Sequence, residues 1–286
     1  MESLHCIYNG HLISSYEPSV SFSNRAFRYG DSLFESIRYC NGRVMFLSDH
    51  VKRIKLGMTT LRMNVPSEFT TANIETLILH LISENNLTKQ NARIRLTIMR
   101  NEGGHYTPDT NDISFLIETE LLDAKGYTLN QKGLWVDIYA ELKKPINKIS
   151  NLKTGSALLY VMAGIAKNSV KLDDCFIVNE QGNIIETINS NIFIVKNGVL
   201  YTSPLNEGCI DGVMRKQILA IAQANRILTF EQTITTNTLM NGDEVFLTNA
   251  IRGVQWVGQF KNKFYTNSQA VFFTEKLNQL TENNIL

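Results

Sequence analysis

Many common markers of function are missing from this 286-residue chain. Its four cysteines, Cys6, Cys40, Cys175 and Cys209, lie far apart and lack metal-type spacing, which argues against a zinc site or a disulfide framework. The five histidines, His5, His11, His50, His80 and His105, are equally dispersed, so no dedicated metal site is expected. Neither sign of charge dominates: 28 basic and 27 acidic residues leave a formal net charge of +1. No basic run is interleaved with aromatics, so neither nucleic acid nor an anionic membrane is an expected partner. Without a long apolar run or a leader-like segment, the expected location is the cytoplasm. No G-x-G-x-x-G opens a helix after a strand, no P-loop occurs and G-x-S-x-G is absent. The commonest signatures of dinucleotide binding, nucleotide-phosphate binding and serine hydrolysis are thereby excluded.

What is present is a core-forming chain, 43% hydrophobic, long enough for one large domain or two modest ones. The dipeptides Asn9-Gly10, Asn41-Gly42 and Asn197-Gly198 each sit between strand-like runs and predict tight turns. Val51, Ile54, Met58 and Leu61 recur three or four apart, predicting a helix with Ser48 as its N-cap. A second helix is expected over about 70–84, a strand over 92–100, and another in ISFLIETELL. The polar, glycine-containing stretch 123–133 reads as a linker between an N-terminal α+β domain, 1–122, and a C-terminal domain, 134–286. The later part predicts the strand LWVDIYAEL, a helix from about 155 to 168, a dense β region, a helix beginning near Gly212, and a last helix from about 267. The pattern is a mixed α/β, or α+β, chain in two domains rather than repeated βαβ units.

Polar residues at element ends are the candidates for chemistry. Lys153 lies in NLKTGS, before a mostly apolar helix. It is either an ordinary solvated lysine or an amine enclosed in a pocket, where a lowered pKa lets it attack a carbonyl. Glu186 closes the strand-like GNIIE, facing either solvent or a pocket. Gly212 permits close backbone approach, and the N–H groups of Val213 and Met214 at a helix start suit a phosphate. Thr248 and Asn249 add a hydroxyl and an amide, and Arg53 adds a cation that can pair with a dianion.

Six blocks occur in one order: NRAFRYGDSLFESIR, HVKRI, NLKTGS, IIETINSNIFIVKNGVLYTSPL, GCIDGVMR and EVFLTNA. Over almost the whole length the chain resembles the class IV aminotransferases, the fold-type IV enzymes dependent on pyridoxal 5'-phosphate. The resemblance implies a two-domain, D-amino-acid aminotransferase-like fold and a homodimer. It implies that Lys153 holds pyridoxal phosphate as an imine and that Glu186 pairs with the pyridine nitrogen. It further implies that Arg53, Val213 and Met214 hold the phosphate. Ala250 stands where the family often has a threonine, leaving Thr248 or Asn249 to compensate. Tyr29 matches a signature tyrosine of the substrate pocket. Arg100 and His105 are substrate candidates by similarity to the D-amino-acid enzymes, and Arg95 alternates with Arg93 on a strand. The implied reaction moves an amino group between an amino acid and a 2-oxo acid. FESIR is close to the branched-chain form, whereas MRNEGGHYTP looks like the 4-amino-4-deoxychorismate lyases, so pyruvate release with formation of 4-aminobenzoate is the alternative.

Overall fold

The computed structural model describes residues 4–16, 20–123 and 126–282, which form two compact units. The first comprises 1–126 together with 152–156, and the second 127–151 together with 157–286. Lys153 therefore clusters with the N-terminal unit, although the sequence suggests that it belongs to the C-terminal domain. The cause is backbone pairing. The Phe34 N–H donates to the Lys153 carbonyl at 2.9 Å, the Gly155 N–H donates to the Ser32 carbonyl at 2.9 Å, and Leu33 bridges Thr154.

In chain order the first unit contains β1 (His5–Tyr8), β2 (His11–Ser14), α1 (Arg25–Tyr29), β3 (Ser32–Cys40), β4 (Arg43–Val44), α2 (Leu47–Thr60), α3 (Thr71–Glu84), β5 (Asn91–Arg100) and β6 (Ile113–Leu122). Its six strands form an antiparallel sheet in the order β2-β1-β6-β5-β3-β4. Two of the expected turns lie here. Asn9-Gly10 and Asn41-Gly42 take positive φ at both positions, the conformation that matches the twist of paired strands. Val51, Ile54 and Met58 of α2 join Ile74, Ile78 and Leu81 of α3 in a core against Leu33, Ile37, Ile94, Leu96 and Ile98. The N-cap of α2 is Phe46 rather than Ser48. Phe46 adopts a left-handed φ of 53° and leads the chain straight from β4 into the helix, leaving Ser48 inside the first turn. The five-residue helix α1, capped by the Asn24 side chain, is too short to leave a periodic signal in the sequence.

The second unit contains β7 (Leu134–Lys144), α4 (Leu158–Ser169), β8 (Asp174–Asn179), β9 (Ile184–Thr187), β10 (Asn191–Lys196), β11 (Val199–Thr202), α5 (Val213–Ala224), β12 (Thr229–Glu231), α6 (Thr236–Met240), β13 (Glu244–Asn249), β14 (Gly253–Phe260), β15 (Lys263–Phe264) and α7 (Ser268–Glu282). Its sheet runs β12-β11-β10-β13-β14-β7-β8-β9, and β9 pairs back onto β10. Closure sets Glu186 opposite Asn191, and the next pairing sets Asn191 opposite Thr248. These three positions thus occupy one row across adjacent strands, a width of about 10 Å from Glu186 to Thr248. No helix among the described residues is long and apolar enough to cross a membrane.

Candidate active site

Two constellations of buried polar groups stand out, one in each unit. In the first unit, alternation along β3 puts Leu33, Glu35 and Ile37 in the apolar phase. Glu35 is 1% exposed, so its charge needs partners. They come from α2, where His50 and Arg53 lie one turn apart on the same face. His50 Nδ1 lies 2.6 Å from Glu35 Oε2, Arg53 Nε donates to Oε1 at 2.8 Å, and Arg53 Nη2 donates to Oε2. Gly57 permits the close approach of α2, because a Cβ there would lie 2.8 Å from Leu33 Cδ1.

Burial pushes the Glu35 carboxyl upward, but Arg53 and then His50 outweigh it and hold the group at about 2. His50 is driven below its ordinary value of 6.5, mainly by burial. A neutral His50 with its proton on Nδ1 therefore donates to the carboxylate. Because the folded value of Glu35 lies below its ordinary 4.5, its stabilising contribution is complete above that pH and is lost as pH falls from 4.5 toward about 2. Glu35→Gln is expected to lower Tm by several degrees at pH 6. The gap from wild type should close across that acid window in calorimetric scans, whereas a constant gap would contradict the assignment.

Lys153 lies beside this cluster. Its Nζ is 4.0 Å from the centre of the Phe34 ring, and a cleft lined by Leu33, Phe34, Glu35, Arg53, Ile54, Gly57 and Leu152 surrounds it. Burial first, then Arg53, lowers its pKa to about 8; Glu35 opposes this, while Arg95 and Arg93 add to it. The Arg95 guanidinium lies over the same Phe34 ring at 4.1 Å. Lys153, Arg53 and Arg95, singled out in the sequence, lie near one another here, whereas Glu35 and His50 were not among the expected site residues. The overlooked signal was a glutamate in the apolar phase of a strand, followed by a histidine and an arginine at i, i+3 of a helix.

Other expected substrate residues prove to have framework contacts. Arg100 is 6% exposed and donates to Asp31 at 2.9 Å, Asn111 at 2.6 Å and the Leu61 carbonyl at 2.8 Å. Its guanidinium thus bonds the side chains of Asp31 and Asn111 and the end of α2. His105 is exposed, and its carbonyl accepts from the buried Arg25 at 2.6 Å. Arg25 also bonds Asp31 at 2.9 Å and lies 5.0 Å from the centre of the Tyr29 ring, which it positions. Tyr29 in turn packs on Tyr106, with ring centroids 5.5 Å apart.

In the second unit, Glu186 is 2% exposed. Its Oε1 accepts from Lys144 Nζ at 2.6 Å and from the Tyr160 hydroxyl at 2.7 Å, and its Oε2 accepts from the Ile210 N–H at 2.7 Å. A carboxylate offers about four lone-pair sites, so these three bonds leave room for one more donor. Burial, reinforced by Glu186, pushes the Tyr160 phenol far up, so it remains a donor. The neighbouring Cys209 thiol is pushed up to about 12, by burial and then by Glu186, and stays protonated. Lys144 and Tyr160 had no sequence signal beyond the need of a buried anion for donors.

Helix α5 starts after Gly212, with no side chain capping its first N–H groups. A Cβ at Gly212 would lie 1.9 Å from Asn191 Oδ1, so glycine is required there. Thr248, 1% exposed, has a buried Oγ1 without a hydrogen-bond partner. Asn249 is less available: its Oδ1 accepts from the Ile251 and Arg252 N–H groups at 3.0 and 2.8 Å, and its Nδ2 donates to Ser190 Oγ at 2.9 Å.

Comparison with known proteins agrees with this architecture. The family model for amino-transferase class IV matches residues 32–260, and the chain belongs to that family. It is 27% identical to a putative branched-chain-amino-acid aminotransferase of Methanocaldococcus jannaschii, over 95% of this chain and 93% of that one. It is 24% identical to a D-alanine aminotransferase of Staphylococcus epidermidis, over 95% and 94% respectively. The fold is shared with the branched-chain aminotransferase of Thermoproteus uzoniensis, with a TM-score of 0.86 and 22% identity over 97% of this chain and 94% of that one. The two-domain mixed α/β fold expected from the sequence is therefore present.

Proposed function

We propose that this chain is a pyridoxal 5'-phosphate-dependent aminotransferase that moves an amino group between an amino acid, branched-chain substrates foremost, and a 2-oxo acid. The observation that carries this reading is the Lys153 amine, fixed through its backbone against β3 and brought to about 8 by burial and Arg53. Taken by itself, the second unit holds an uncapped helix start and the unpartnered Thr248 hydroxyl, which suit a phosphate, and a buried carboxylate with one acceptor site to spare, which suits a ring nitrogen. The row from Glu186 to Thr248 has a width that a substituted pyridine and its phosphate arm can span.

When bound, pyridoxal 5'-phosphate supplies an aldehyde that captures amines and a ring that takes up the electrons left by proton removal. Lys153 Nζ would hold it covalently, and Glu186 would face the ring nitrogen. The N–H groups of Val213 and Met214 and the Thr248 hydroxyl would hold its phosphate, a role the family resemblance implies for Arg53 as well. With its lowered pKa, the Lys153 amine accepts a proton near neutral pH and gives it back, as general acid–base work requires. Lys144, Tyr160 and the Ile210 N–H fix the Glu186 carboxylate so that it faces the ring without reorganising. Arg95, half-buried beside Phe34, would offer a cation to a substrate carboxylate, and Tyr29 would contact the substrate as the family resemblance implies.

The decisive experiment adds pyridoxal phosphate, reduces with borohydride and maps the adduct. It then offers branched-chain amino acids, D-alanine and aminodeoxychorismate with and without 2-oxoglutarate. The expected result is an adduct on Lys153 and keto-acid formation that depends on the acceptor. Pyruvate release without an acceptor would identify a lyase instead.

The same reading includes a homodimer. On α4, Leu158, Val161, Met162 and Ile165 are 74%, 52%, 40% and 59% exposed, an apolar stripe at i, i+3, i+4 and i+7. Leu158→Glu combined with Ile165→Glu is expected to weaken self-association at least about tenfold by sedimentation. Unchanged association would place the interface elsewhere.

A further inference from the structure

Glu35 lies on the core face of β3, where a methyl-bearing residue would pack without penalty. Its carboxylate is nevertheless held by a forked pair of bonds from Arg53 and a third bond from His50. Phe34, the preceding residue, bonds the Lys153 carbonyl through its backbone and lies under the Lys153 amine with its ring. Glu35, Arg53 and Lys153 line one cleft.

We propose that Glu35, fixed by His50, is a positioning residue that holds the Arg53 guanidinium and serves as a shared counter-charge for Arg53 and the Lys153 amine. The inference deepens the reading of Lys153 as the covalent anchor and rests on it for its functional meaning. The charged groups around Lys153 are Arg53 from α2, Arg95 and Arg93 from β5, and Glu35 from β3. Glu35 is the one anion among them. Burial and the three arginines favour the neutral amine, a good nucleophile but a poor proton carrier, and Glu35 opposes them. With Glu35 in place, the lysine can both attack and hold a proton near neutral pH. The forked geometry has a second effect. Two parallel bonds to one carboxylate fix the plane of the Arg53 guanidinium, which a single bond would leave to rotate. His50 completes the arrangement by donating to Oε2; its own nearby charges are Glu35, Arg53 and Asp49.

A purely structural Glu35 would matter for stability but not for the titration of Lys153, and this separates the two roles. The full-length chain, stripped of bound aldehyde with hydroxylamine, would be acetylated with acetic anhydride between pH 6 and 11. Peptide mass spectrometry would then follow Lys153 against the exposed Lys52. The wild-type midpoint is expected near 8. Glu35→Gln should lower it by at least about one pH unit, making Lys153 roughly fivefold more reactive at pH 7. Glu35→Gln combined with Arg53→Gln removes both opposing charges and leaves neither unpaired in the core, so it folds even where the single variant does not. Because Arg53 acts on Lys153 more strongly than Glu35 does, this double variant should return the midpoint to the wild-type value or above. An unmoved midpoint in Glu35→Gln, or a double variant titrating below wild type, overturns the proposal. Absence of a borohydride-fixed adduct on wild-type Lys153 overturns the anchor reading instead, since the acetylation measurement does not involve the cofactor.

Discussion

Lys153→Ala is expected to lower turnover at least about a thousandfold, combining loss of a nucleophile with loss of the proton carrier. The methyl side chain can neither hold an aldehyde nor move a proton, and among the described residues no other amine lines the Lys153 cleft. Affinity for pyridoxal phosphate should fall less than turnover, because the groups proposed to hold the phosphate and the ring nitrogen are untouched. Rate and affinity measured on one preparation therefore test two assignments. A variant within tenfold of the wild-type rate would remove Lys153 from the chemistry. Complete loss of cofactor binding would show that the phosphate groups contribute little.

Gly212→Ala is the second substitution with a large expected effect. The new Cβ would collide with Asn191 Oδ1 at 1.9 Å. Asn191 cannot retreat without loss, because its Nδ2 bonds the Ile210 carbonyl at 2.8 Å. The Ile210 N–H in turn donates to Glu186 at 2.7 Å. Movement of the 210–212 segment would thus tilt the first turn of α5 and withdraw a donor from the carboxylate together. Loss of two such bonds, at about 1.5–3 kcal/mol each for contacts to charged groups, predicts cofactor affinity weaker by at least about a hundredfold. Equilibrium dialysis with pyridoxal phosphate measures it directly. Affinity within threefold of wild type would mean that this helix start is not where the phosphate is held.

The parts of the fold that were legible in the sequence are those governed by local rules. Asn9-Gly10, Asn41-Gly42 and Asn197-Gly198 form turns with both residues at positive φ, because few other pairs tolerate that conformation. The helix at 71–84 agrees with the expected 70–84, since Thr70 caps it and Ile74, Ile78 and Leu81 keep the period. The helix expected from 155 begins at Leu158, because 153–155 are held by β3 instead. Such long-range pairing carries no local pattern. The same limit explains the site. Lys153 and Glu186 could be singled out only through a resemblance, since neither lysine nor glutamate announces its surroundings. Arg100 looked available in a polar, glycine-containing segment, yet Asp31 and Asn111 enclose it. Glu35 was readable in principle, as a charge in the wrong phase of a strand.

The joining of 152–156 to a unit otherwise made of 1–126 has a consequence for biosynthesis. A nascent chain that has emerged from the ribosome only as far as residue 126 still lacks the segment that bonds Ser32 and Phe34. That margin of β3 must wait while the ribosome adds roughly thirty more residues, a delay of a few seconds at ordinary elongation rates. The Lys153 amine thereby reaches its cleft only after the chain is more than half made, when most of the residues that surround it already exist.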